Sequence, residues 1–189
     1  TDKNTLKATK VDPVISSKAY TIGVTMTEGT DKIDCTFSSN GTDSVISAIY
    51  IGFEIRFLKM GGKSYIVVPL SKSYCEMDTP ELIEGLRNII FETMKIDTVY
   101  DKTTSEKVGL RTYTCETFYS AANASIQYYF FSNELKNLKL TDAKGNVQDF
   151  EFTQMKASAD SSLLNIPSHY KYDESLKNMF EQAQDYSEG

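Results

Sequence analysis

The chain has 189 residues, which is enough for one domain with a hydrophobic core. Its 26 acidic and 20 basic residues give a net charge of −6. This balance argues against nucleic acid or an anionic membrane surface as the main partner, because both bind a basic face.

The first part of the chain shows the period of two that is typical of half-buried strands. Apolar residues alternate with small or polar ones in KAYTIGVTMT (18–27), and FEIRFLKM (53–60) repeats the pattern. DKIDCTF and SVISAIYI predict two further strands between them, with Asn40-Gly41 as a hairpin signal. SYIVVPL (64–70) is apolar on both faces, which predicts a central strand.

The period then changes to that of a helix. Asp78 and Glu81 fit a capping box, and Pro80 suits the first turn. These signals predict a helix from about Pro80 to Met94. Its apolar stripe consists of Leu82, Leu86, Ile89, Ile90 and Met94.

Strand signals resume after this helix and continue to residue 155, in LRTYTCETFY, SIQYYFFS, ELKNLKLTD and VQDFEFTQM. The final segment predicts a helix over 173–186, with Asp173 as its cap. A short helix near Val11–Ser17 is weakened by Pro13.

These elements predict an α+β protein with a single antiparallel sheet of about ten or eleven strands. Because a twisted sheet of this size tends to curl, we expect an open half-barrel whose helices cover the concave face. The half-barrel domain is expected over residues 18–170. A tail or short helix precedes it at 1–17, and a helical extension follows it at 171–189.

The apolar stripe of the 80–94 helix must be buried, and the concave face offers the place. The helix either fills the sheet and makes a packed core, or leaves an apolar pocket. In the second case, the candidate ligand-binding residues are Ile22, Val24, Met26, Phe53, Ile55, Phe57, Leu82, Leu86, Ile90, Tyr128 and Phe130.

Catalytic and metal-binding motifs are absent from the sequence, so we expect no enzyme, no metal and no cofactor. His169 is the single histidine and lies in what reads as a surface loop. Cys35, Cys75 and Cys115 are an odd set, which favours three buried thiols over one disulfide.

The string LKLTDAKGNVQDFEFTQMKASADSSLLNIPSHY (138–170) resembles the C-terminal part of the LolA/LppX-like lipoprotein-carrier superfamily. KAYTIGVTMT is similar to the opening strand of that superfamily. KMGGKSYIVVPLSKSYCEMD (59–78) is similar to the strand pair before its lid helix. The matching residues of the C-terminal pattern are Asp142, Gly145, Phe152, Asp160, Ser162, Leu163, Ile166, Pro167 and Tyr170.

The resemblance implies a half-barrel with an apolar cavity, in a protein of the bacterial cell envelope that binds a lipid or an acyl chain. It implies an extracytoplasmic location, at the cell surface or in the periplasm, and possible contact with another envelope protein. Many members are anchored through an N-terminal lipidated cysteine. Because the chain opens on Thr1, we expect that a signal and such an anchor have been removed.

The alternative to a carrier is a non-enzymatic interaction or sensor module with a filled core. In either case, the resemblance implies that Leu163, Leu164 and Ile166 seal one end of the half-barrel as a short helical turn. Pro167 would stop that turn, which could serve as a bottom plug or as a cavity wall.

Overall fold

The computed structural model describes Val14 and residues 17–77, 98–120 and 123–187. A 3-10 helix, Pro69–Ser71, links two of the strands. The strands are β1 (Ala19–Glu28), β2 (Asp31–Asn40), β3 (Ser44–Tyr50), β4 (Phe53–Met60), β5 (Lys63–Val68), β6 (Ser73–Glu76), β7 (Thr98–Val108), β8 (Arg111–Ser120), β9 (Ser125–Phe131), β10 (Glu134–Thr141), β11 (Val147–Lys156) and β12 (Lys171–Tyr172), and an α-helix, α1 (Glu174–Ser187), follows them.

All these strands belong to one 12-stranded sheet in the order β12-β6-β5-β4-β3-β2-β1-β11-β10-β9-β8-β7. The described strands leave the sheet unclosed, with β12 and β7 outermost, and a curved, open sheet fits this order. The prediction of about ten or eleven antiparallel strands needs two corrections. The described residues form twelve strands, and β12 runs parallel to β6.

Two antiparallel meanders, β1 to β6 and β7 to β11, are joined by the pairing of β1 with β11. The ladder contains a bulge, because Gly23 pairs with Gln154 while Val24 pairs with Phe152, leaving Thr153 as the extra residue. A Cβ atom on Gly23 would lie 2.5 Å from the Thr153 Oγ1. Glycine therefore lets the bulged strand approach β1 closely.

We call the face that carries Ile22, Val24 and Tyr128 the inner face, and the opposite face the outer face. A second apolar cluster lies on the outer face of β3, β4 and β5, where Leu164 packs with residues that alternate with the inner-face ones. The buried residues of this outer cluster are Val45, Leu58, Val67 and Leu164, and Leu163 and Ile166 pack against them.

The expectation that this segment seals one end of the half-barrel is therefore wrong. It forms turns, including a hydrogen bond from the Leu163 N to the Asp160 O of 3.2 Å, but these turns cover the outer face of the sheet. This cover explains why 64–70 reads as apolar on both sides.

A buried hydrogen-bond network fastens the start of this segment to the sheet. The Thr21 Oγ1 donates to the Ser158 O over 2.7 Å, and the Asp160 N donates to the Ser38 Oγ over 2.8 Å. The Ser38 Oγ also donates to the Tyr20 O over 3.1 Å. Buried hydroxyls satisfied in this way hold the segment in one position.

The predicted C-terminal helix is confirmed, and Asp173 caps it. The Asp173 Oδ1 accepts hydrogen bonds from the Ser175 N at 2.9 Å and from the Ser175 Oγ at 2.6 Å. Leu176 is buried in the inner-face cluster and Phe180 packs against it, so α1 covers the β6 end of the inner face.

Within the described residues, α1 is the one helix found over this face, rather than the several helices predicted. The predicted helix at Pro80–Met94 lies outside the described residues. Of the predicted short helix at Val11–Ser17, the described residues include only Val14, which is buried in the inner-face cluster, and Ser17.

Gly23→Ala tests the bulge. We expect it to destabilise the fold by about 1–3 kcal/mol, because its methyl group would overlap the Thr153 Oγ1. Urea denaturation measures the change. Adding Thr153→Ala should restore part of the lost stability, whereas equal loss in the single and double variants would contradict a steric cause.

Leu164→Ala tests the outer-face segment. We expect a loss of about 2–5 kcal/mol in the free energy of unfolding, because a side chain that is 7% exposed leaves a cavity against β3, β4 and β5. Leu70→Ala is the matched control, because Leu70 is 78% exposed and its removal should change stability by under about 0.5 kcal/mol. Equal small effects at both positions would mean that the segment does not stabilise the sheet.

Candidate functional site

A continuous apolar cluster covers the inner face, and strands β1–β6 and β8–β11 all contribute to it. It forms because every second side chain along each strand points to the same face of a sheet. The buried strand residues of this cluster are Tyr20, Ile22, Val24, Cys35, Phe37, Ile46, Phe57, Ile66, Val68, Cys75, Phe118, Ile126, Tyr128, Phe130, Leu135, Leu138, Phe150 and Phe152.

The structure brings seven of the predicted ligand-binding residues together on this face. Phe53 lies at the start of β4, is 42% exposed and is not part of the cluster. Leu82, Leu86 and Ile90 lie outside the described residues. Ile22, Val24, Phe57, Tyr128 and Phe130 are buried in the cluster, and Met26 and Ile55 pack against it.

One row of side chains crosses six neighbouring strands on the inner face, because their residues are directly paired from strand to strand. With strands about 4.8 Å apart, the row is about 24 Å long. We call it the inner-face row. It runs from β2 to β8 through Ile33, Met26, Phe150, Leu138, Tyr128 and Glu116.

Glu116 places a carboxyl group at the β8 end of this row. Its side chain is 4% exposed, and among the described residues it is the one charged side chain that is buried. Burial raises the pKa of Tyr128 to about 12, and the charge of Glu116 adds to the effect. The two residues therefore place a carboxyl group and a phenol hydroxyl side by side at this end of the row.

Glu116 was not among the site residues predicted from the sequence. Its signal was present in TYTCETFY, where Glu116 is in phase with Phe118, an apolar residue whose ring lies 5.5 Å from that of Tyr128. An acidic residue at an apolar phase of a strand is a candidate functional residue, because burying a charge is costly unless it is compensated.

A second feature is a group of exposed apolar residues at two neighbouring turns of the sheet, which we call the turn patch. Ile51, at the tip of the β3–β4 hairpin, is 85% exposed and has a φ of 50°, a conformation that β-branched residues rarely adopt. Such exposed patches mark contact sites in many soluble proteins. The turn patch consists of Ile49, Tyr50, Ile51, Phe53 and Leu70.

His169 is exposed, and its ring contacts that of Tyr170 at a centroid distance of 5.0 Å. Among the described residues, no group of His, Cys, Asp and Glu side chains could hold a metal ion. Within the same residues, no helix has the length and apolar character to span a bilayer.

Cys35, Cys75 and Cys115 are free and buried, as predicted.

The raised pKa of Tyr128 predicts how the stability of the fold depends on pH. Because the folded-state pKa of about 12 lies above the ordinary value of 10.0, the stabilising contribution of the phenol is complete below pH 10 and is lost as the pH rises through 12. We therefore expect Tyr128→Phe to lose less stability than the wild type over this range, measured by urea denaturation. The exposed Tyr119→Phe is the control and should follow the wild-type curve; identical curves for all three proteins would contradict the prediction.

No protein-family model and no curated protein matches the chain. Similar solved structures include an uncharacterized conserved protein from Thermus thermophilus, at 10% identity and a TM-score of 0.49, over 86% of this chain and 95% of that one. MucB in complex with MucA(peri) is similar at 12% identity and a TM-score of 0.42, over 82% of this chain and 55% of that one. The LolA superfamily protein NE2245 from Nitrosomonas europaea is similar at 10% identity and a TM-score of 0.33, over 85% of this chain and 98% of that one.

Proposed function

We propose that this chain is an extracytoplasmic, lipoprotein-like binding protein that holds an apolar ligand, a lipid or an acyl chain, against the inner face of its sheet. The observation that carries the proposal is the inner-face row, whose five residues from Ile33 to Tyr128 offer an acyl chain largely apolar contact along about 19 Å. The surrounding cluster, drawn from β1–β6 and β8–β11, extends this contact on both sides.

The chemistry of the inner face agrees with a ligand site. Pockets for small molecules are mostly apolar, with a few polar groups that fix the orientation of the ligand. Here Glu116 and the Tyr128 hydroxyl are those groups, side by side at one end of the row. Such a role needs no reacting group, so the proposal is of a binding protein that is not an enzyme.

The location belongs to the same proposal. A place outside the cytoplasm, with an N-terminal lipid anchor in the full-length protein, comes from the resemblance to the lipoprotein-carrier superfamily. A second envelope protein as partner comes from that resemblance too, and we propose that it contacts the turn patch.

A filled interaction module is the second candidate, and one observation favours it. The buried inner-face residues are as inaccessible as a packed core, with Ile22 at 1% and Leu138 at 0% exposure. In this case the inner face would be structural, and the turn patch would carry the function.

Binding of a fluorescent fatty acid distinguishes the two candidates. We expect the wild type to bind it, and Met26→Asp to bind it roughly tenfold more weakly, since a charge replaces a partly buried side chain of the inner-face row. Val108→Asp is the matched control, because Val108 is 57% exposed in the outermost strand β7. Its affinity should equal that of the wild type.

Native mass spectrometry of protein purified from cells provides the second measurement. Co-purified lipid supports the carrier. A bare mass together with no binding of the fluorescent fatty acid by folded wild-type protein would overturn the proposal in favour of the filled module.

A further inference from the structure

The strands β10 and β11 separate before their ends and leave a cleft between them. Their pairing runs from Thr141 and Val147 to Asn137 and Glu151, and stops there. Beyond this point β10 pairs with β9, and β11 pairs with β1. We call the space between the diverging strands the fork.

Two bulges cause this separation. One lies in β10 between Leu135 and Asn137, and the other lies in β11 at Thr153, opposite Gly23. A bulge bends its strand and increases the local twist, so two bulges beside each other turn the strands apart. Bulges are also enriched next to functional sites.

The fork holds a cavity of about 260 Å³ whose base belongs to the inner-face cluster. Leu135 and Phe152 are buried members of that cluster, and Met155 packs against it. The fork therefore borders the apolar inner-face cluster at its base. Its lining residues are Glu134, Leu135, Lys136, Phe152, Thr153, Gln154, Met155 and Lys156.

The polar part of the lining is positively charged in a protein whose net charge is −6. Lys136 and Lys156 contribute two positive charges and Glu134 one negative charge, which leaves one net positive charge. The Lys136 Nζ lies 3.0 Å from a Glu134 carboxylate oxygen, which directs the ammonium group while leaving two of its three donors. Thr153 and Gln154 add neutral donors.

Asp160 is an acidic neighbour of Lys156 outside the lining. The charge of Lys156 helps to lower the pKa of Asp160, although hydrogen bonds from Ser162 contribute more. The Asp160 Oδ1 already accepts the Ser162 N at 3.0 Å and the Ser162 Oγ at 2.6 Å. The Asp160 carboxylate is thus held in its own turn by Ser162, while Lys156 lines the fork.

We propose that the fork binds the anionic head group, a carboxylate or a phosphate, of an acyl ligand whose chain lies against the inner face. This inference rests on the proposed function. Lys136 and Lys156 neutralise the head group, and the chain passes Leu135 and Phe152 to reach the apolar cluster. A cleft with an apolar base and a cationic mouth selects amphipathic acids over neutral alkyl chains.

The test compares three ligands with the same alkyl chain: palmitate, hexadecyl phosphate and hexadecanol. Their Kd values are measured by displacement of a fluorescent neutral alkyl probe from folded protein. We expect the wild type to bind the two anions roughly tenfold more tightly than the alcohol, as two partly exposed ion pairs would give. The Lys136→Gln and Lys156→Gln double variant should lose this preference and keep its affinity for the alcohol.

Lys59→Gln is the control, because Lys59 is an exposed strand lysine outside the fork. It should retain the preference for the anions. The anion with the lower Kd identifies the source of the head group: palmitate indicates a free fatty acid, and hexadecyl phosphate indicates a phospholipid.

Two results would overturn the inference, and they separate it from the proposed function. If the alcohol binds but the anions bind no better, or the double variant keeps their preference, the head-group site is wrong while the apolar site stands. If none of the three ligands binds and the probe itself does not bind, the proposed function fails and the fork site fails with it.

Discussion

The pairing of β1 with β11 is the constraint on which the rest of the sheet depends. The other antiparallel pairs join strands that follow each other in the chain, whereas this ladder joins residues more than a hundred positions apart. Without it the two meanders would each have a half-sized apolar face with an open edge. The inner-face row exists because this ladder places Met26 opposite Phe150.

Most of the strands could be predicted from the sequence, because alternation and hairpin signals act locally. The parallel pairing of β12 could not, since Lys171 and Tyr172 are too short a segment to show a period. The apolar character of Leu163, Leu164 and Ile166 indicated that they are buried, but not on which face. That choice is made by Thr21 and Ser38, whose hydroxyls hold the segment from a distance in sequence that no local pattern reveals.

The candidate site was predictable to a similar degree. Alternation alone identified the phase of Ile22, Val24, Tyr128 and Phe130, because a strand exposes each face to one environment. The fork was not predictable, because it results from two bulges that change the register of neighbouring strands. Gly23 was the visible trace of one of them, as a glycine inside an otherwise regular strand.

The three thiols have a practical consequence. Burial raises the pKa of Cys35 to about 11 and raises the pKa values of Cys75 and Cys115 as well, so each sulfur is both shielded and protonated in the native state. They lie in β2, β6 and β8, one near the centre of the sheet and one towards each side. An alkylating reagent can therefore modify each cysteine only while its strand is transiently released. The order in which the three adducts accumulate would report which part of the sheet opens first, with the natural cysteines as the probes.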